Sequence, residues 1–188
     1  MKLIARVLLA GLLALGLAGC LAGCRDSAPE PVDSPAATTA TQFGGTDLAW
    51  IEISIAMDEE LIPLLQLVPE RSGSSDVQAL AAQVQAFTEA ELSALRALHD
   101  QAGLPAVNPH KGMPMPGMVT PQEVTDASAQ TGKDFDKTVL KALQAHLEQS
   151  QNLAGSEDKS GVEPQTRSLA LQVLRTREVA LATIKQLS

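Results

Sequence analysis

Four side chains with soft donor atoms stand within nine residues of one another: His110, Met113, Met115 and Met118, set among Pro and Gly. Imidazole nitrogen and thioether sulfur suit soft, late transition ions, so this stretch could wrap one Cu(I). The plainer reading is a Pro-rich connector whose Met side chains pack on the end of a helical domain. Catalysis finds little support. A nucleophilic mechanism needs Ser or Cys beside a base and an orienting group. Here His99, His110 and His146 are scattered, and both cysteines lie near the N-terminus. No Glu stands three residues before any His, as a di-iron bundle requires. Gly-rich phosphate loops and paired-Cys zinc spacings are also absent. The expectation is a protein that is not an enzyme.

The two cysteines belong to an address. Lys2 and Arg6 precede an uncharged apolar run from Val7 to Leu17, a secretory signal layout too short for a membrane span. Leu17-Ala18-Gly19-Cys20 is followed at once by Leu21-Ala22-Gly23-Cys24, and each quartet resembles the bacterial lipobox. In such signals the Cys becomes the mature N-terminus and carries acyl chains, which hold a protein stably on a bilayer. A disulfide between Cys20 and Cys24 would close a loop too small to constrain much chain entropy. The expected organisation is a signal peptide over 1–23 with cleavage before Cys20 or Cys24, a flexible Pro/Ala/Ser/Thr tether over 24–45, and a helical domain over 46–188. The expected location is the extracytoplasmic face of a bacterial cell membrane, with a protein partner possible. Without Lys2 and Arg6 the chain has 12 basic against 22 acidic residues, a charge of −10. That balance argues against nucleic acid as a partner, since phosphate contact needs clustered Lys and Arg.

Abundant Ala, Leu, Gln and Glu with only 2% aromatic residues favour helices over strands. Leu48, Ile51, Ile55, Ile62 and Leu65 recur near period 3.5 and predict a first helix, with a kink or break at Pro63. Leu80, Val84, Phe87, Leu92, Leu95 and Leu98 predict a second, capped by Asp76 and ended by Gly103. Thr120, Pro121 and Glu123 form the capping box of a short helix that Gly132 should stop. Phe135 to Leu153 and Leu169 to Ile184 mark two more long helices, joined by a loop holding Gly155, Gly161 and Pro164.

At a constant offset of 89 residues the chain matches itself without a gap. Asp47 meets Asp136, Ala56 meets Ala145, Glu59 meets Glu148, Leu80-Ala81 meets Leu169-Ala170, and Leu98 meets Leu187. This register reads as an internal duplication, and two related helical hairpins bury their apolar stripes most simply as a four-helix bundle.

Several of these residues, taken together, resemble the domain of unknown function 305 family: Leu80-Ala81, Glu91-Leu92, Gly117-Met118, Gly132-Lys133-Asp134-Phe135-Asp136 and Leu169-Ala170. The resemblance covers Asp47 to Leu187 and implies an all-α, ferritin-like fold made of duplicated halves. It also implies copper or silver handling through paired Met-x-x-His-His sets. Here those sets fall on Ser54, Met57 and Asp58, and on Leu143, His146 and Leu147. Only His146 keeps the pattern, so a bundle site would have to be assembled from His146, Met57 and Asp58. The alternative expectation is a decayed site, with His146 a core histidine, Met57 core filler, and Asp58 paired with His146, reaching a cap or facing water. His99 should support the end of the second helix.

Overall fold

The computed structural model describes residues 42–187, in which all regular structure is helical. The elements are α1 (Gly45–Arg71), α2 (Ser75–Ala102), α3 (Pro121–Ser128), α4 (Gly132–Ser160) and α5 (Pro164–Leu187). The expected signal peptide, Cys20, Cys24 and nearly all of the expected tether lie outside the described residues.

The four long helices pack in a ring, α1 on α2, α2 on α5, α5 on α4 and α4 on α1. Three-residue turns join α1 to α2 and α4 to α5, so each hairpin is antiparallel. Gly73, before α2, lies against Gly132 at the start of α4, while Asp47 at the start of α1 meets Val162 and Glu163 beyond the end of α4. Every neighbouring pair is therefore antiparallel. The connection from α2 to α4, residues 103–131, must run the length of the ring and contains α3.

The two larger apolar clusters form layers at opposite ends. Trp50, Ile51, Leu95, Leu98, Ala170 and Val173 fill one end; Leu61, Leu65, Val84, Phe135, Leu143 and Ile184 fill the other. Between these layers each long helix contributes a polar side chain, and that middle is the site described below.

Local chemistry departs from expectation at four places. α1 is not broken at Pro63 but continues through Pro63 and Pro69, both of which face solvent. The lost N–H bond falls on the wet side, while buried Leu61, Leu64 and Leu65 hold the helix to its neighbours. Ser74, not Asp76, is the N-cap of α2, its hydroxyl accepting from the Val77 N–H; Asp76 lies in the first turn. α3 ends at Ser128, and Gly132 instead opens α4, with φ +59. Gly155 lies within α4, which reaches Ser160, so the loop to α5 is only residues 161–163. The capping box of α3 is as expected: Glu123 N–H donates to Thr120 Oγ1 and Thr120 N–H to Glu123 Oε2.

Two aspartates 89 residues apart do matching work at opposite ends. Asp47 in α1 accepts from the Val162 and Glu163 N–H groups, at 3.0 and 3.1 Å, tying the turn before α5. Asp136 in α4 accepts from Ser72 Oγ at 2.5 Å, tying the turn before α2.

Candidate functional site

Ionisable and polar groups occupy the buried middle layer because each sits at a stripe position of its helix. In α5 the buried positions Val173, Arg177, Ala180 and Ile184 are one face, and in α2 so are Val84, Thr88, Glu91, Leu95 and Leu98. Asp58 lies among the buried positions of α1, and His146 and Ser150 among those of α4. The ring packing then aims all of them at one another.

Arg177 is the hub, with no exposed surface. Its Nη1 is 2.8 Å from Glu91 Oε2 and its Nη2 3.1 Å from Glu91 Oε1, a bidentate pair. Nε donates to Ser150 Oγ at 3.0 Å, and Nη1 also donates to Thr176 Oγ1 at 3.2 Å. The guanidinium lies 4.8 Å from the centre of the Phe87 ring, within cation–π range. Asp58 Oδ1 is 3.7 Å from Nη2 on the other side. His146 Nε2 approaches the same Asp58 Oδ1 at 3.5 Å, too far for a hydrogen bond. Asp58 Oδ2, Thr88 Oγ1 and both His146 nitrogens are buried without a hydrogen-bond partner.

Charge accounting follows from this geometry. Burial drives Asp58 up to about 7, although Arg177 pulls it down. Burial also drives Glu91 up to about 8; Asp58 adds to the rise, and Arg177 opposes it. Burial pushes His146 down to about 3, with Arg177 acting in the same direction and Glu91 opposing. The two carboxyls titrate as a pair. Arg177 pairs with Glu91, while burial disfavours the charged forms of both carboxyls and of the imidazole.

The connection covers this centre from the α1–α4 side. Asn108 Nδ2 donates to the Glu52 carbonyl and Gly112 N–H to Glu60 Oε1, fastening the segment along α1. Gly117, with φ +75, passes so close to α4 that a Cβ would stand 2.6 Å from Gln149 Cβ and 2.7 Å from the Ala145 carbonyl. That approach seats Met118 and, half-buried, Met115 in one cluster with Met57 and Ala56. Of the expected soft ligands, Met57, Met115 and Met118 are thus brought together. Met113 is exposed instead. His110 is half-buried with Nδ1 enclosed and without a partner. His99 lies in the last turn of α2, its Nε2 3.1 Å from the Pro105 carbonyl.

Arg177, Glu91, Ser150 and Thr88 are the members that sequence reasoning missed as a site. The legible signal was an Arg and a Glu on otherwise apolar stripes. Among the described residues no group of three or more His, Cys, Asp and Glu side chains is arranged to hold a metal ion.

A second buried acidic contact closes the α1 end. Burial raises Asp47, but the Glu157 carboxyl and the N–H groups of Gly44, Glu163 and Val162 outweigh it and hold Asp47 below the usual range. Glu157 is raised to about 8 by burial and by Asp47. No helix among the described residues is long and apolar enough to cross a membrane.

Residues 47–188 match the family profile described as Domain of unknown function (DUF305). Two crystal structures share the fold. A DUF305 fragment from Deinococcus radiodurans superposes with a TM-score of 0.68 at 17% identity, covering 77% of this chain and 96% of its own. A DUF305 protein from Streptomyces coelicolor gives 0.66 at 20% identity, covering 76% of this chain and 91% of its own. No curated protein matches the chain.

Proposed function

The chain belongs to the DUF305 family, and from that premise we propose a lipid-anchored, extracytoplasmic, non-enzymatic helical module that binds a protein partner and whose core metal site has decayed. The observation that carries this reading is Arg177. Its guanidinium fills the place between all four long helices and neutralises Glu91, with Asp58 on its other side. Arg177 already supplies the cation that these two carboxyls face, and it would repel a metal ion there. Ferritin-like ancestry by duplication agrees with three features. The Asp47 and Asp136 ties match across the 89-residue offset, and α2 and α5 begin at Ser75 and Pro164, the same offset apart. Met57 and His146 are partners in that register, as are Thr88 and Arg177.

The anchor reading is tested by the mass of the mature protein from membranes. One of Cys20→Ser and Cys24→Ser should release an unacylated chain while the other stays lipidated. Acylation of neither cysteine would remove it.

A second reading, weak copper or silver carriage, is favoured by a specific observation: Met57, Met115 and Met118 share one cluster, and in the same connection a His110 ring nitrogen is enclosed without a partner. Thioether and imidazole donors fit a soft monovalent ion. Titrating the chain from Arg25 onward with Cu(I), beside a variant with Met113, Met115 and Met118 changed to Leu, separates the two. Uptake by the wild type that the variant loses establishes the carrier; equal uptake removes the loop.

A further inference from the structure

We propose that the Lys133, Lys137 and Lys141 face of α4 is a docking groove for an acidic amphipathic helix of a partner protein. The inference deepens the binding-module reading and rests on it. The three lysines follow one another at four-residue intervals, about 6 Å apart along the helix, and line one edge of a groove of about 570 Å³ whose floor is Val77, Leu140 and Leu187. All three are exposed, and none makes an ion pair among the described residues.

In a chain of net charge −8, a groove lined by three lysines and one aspartate is a local reversal of sign. The N-terminal ends of α2 and α4 open into the same groove at Ser74 and Lys133 and add positive dipole ends. Among the described residues lining the groove, the C-terminal end of α5 and Asp136, whose carboxylate is engaged by Ser72, stand against them.

The floor is also less covered than the repeat would have it. Leu140 is half-buried, while Ile51, its partner at the 89-residue offset, is fully buried. An occupant that covers Leu140 and meets three cations must carry apolar side chains beside a row of carboxylates. A helix with Glu at every fourth position repeats at the lysine spacing and supplies both. A single lipid headgroup would satisfy one or two of these lysines and leave the rest of the row unmet.

The test uses the mature chain labelled with ¹⁵N and a synthetic helical peptide carrying Glu at every fourth position with Leu alongside. Controls are the same peptide with Gln for Glu, and phosphatidylglycerol vesicles. The acidic peptide should shift the amides around Val77 and Lys133 to Gln144. Its Kd should rise at least about tenfold in K133E/K137E/K141E, with an unchanged thermal melt, and should rise with salt. Silence in those amides, equal affinity in the triple variant, or vesicles binding this face where the peptide does not would overturn the proposal. Cu(I) uptake through the loop would sink the binding-module reading without moving these amides, so the two failures are distinguishable.

Discussion

Removing Arg177 would leave Glu91 and Asp58 facing each other without a cation, and breaking a buried pair from one side costs about 3–5 kcal/mol. Arg177→Met should therefore lower unfolding free energy by about that amount in urea. Glu91→Gln combined with Arg177→Met removes both charges and should recover most of the loss; a double variant as unstable as the single would show that the pair is not the cause. The pH profile follows from the same groups. Asp58, Glu91 and Glu157 hold protons at about 7, 8 and 8 when folded, against 3.8, 4.5 and 4.5 ordinarily. Their stabilisation is complete below the ordinary range and is lost as pH rises through the folded values. His146 acts oppositely: unfolded it gains a proton below 6.5, folded only near 3, so it costs stability as pH falls. Three groups outweigh one above about pH 5, and the thermal midpoint should peak near about pH 4–5 and fall toward pH 8. Asp58→Asn should flatten the alkaline limb; a profile that rises from pH 5 to 8 would contradict the assignment.

At the level of elements, two glycines in or beside α4 should respond to Ala in opposite directions. Gly117 lies in the left-handed region with α4 backbone 2.7 Å from the position of a Cβ. Gly117→Ala must push the connection off α4 and unseat Met118, costing about 1–3 kcal/mol. Gly155 is helical with nothing within 4 Å of its would-be Cβ, so Gly155→Ala should stabilise by about 0.5–1 kcal/mol. Chemical denaturation reads both. Gly155 also shows where periodicity misleads: as punctuation it suggested a loop, yet flanking Ala154 and Glu157 are buried and carry the helix on. Apolar spacing was enough to place all four long helices, and a capping box to place α3. The continuous passage of α1 through Pro63 was not legible, because which side of a helix faces water depends on its neighbours. The centre was half legible. Asp58 and His146 stood out through family positions, but Arg177 and Glu91 acquire meaning only when α2 and α5 are known to be adjacent.

The whole molecule depends on both hairpins because its centre is divided between them. Asp58, Glu91 and Phe87 belong to the α1–α2 hairpin; His146, Ser150 and Arg177 belong to α4–α5. Alone, the first hairpin would bury two carboxyls without a cation, and the second a guanidinium without a carboxylate. Both apolar layers are shared in the same way: Leu61 and Val84 pack with Phe135 and Leu143, and Trp50 and Leu95 with Ala170 and Val173. Neither half can bury its stripe unaided, so fragments 42–104 and 105–188 should each be largely unstructured in far-UV circular dichroism. Mixed in equal amounts, they should regain helix and one urea transition, and Arg177→Met in the second fragment should weaken the reassembly. A first fragment that melts cooperatively by itself, as a monomer in sedimentation, would mean that hairpins, not the divided centre, are the units of folding.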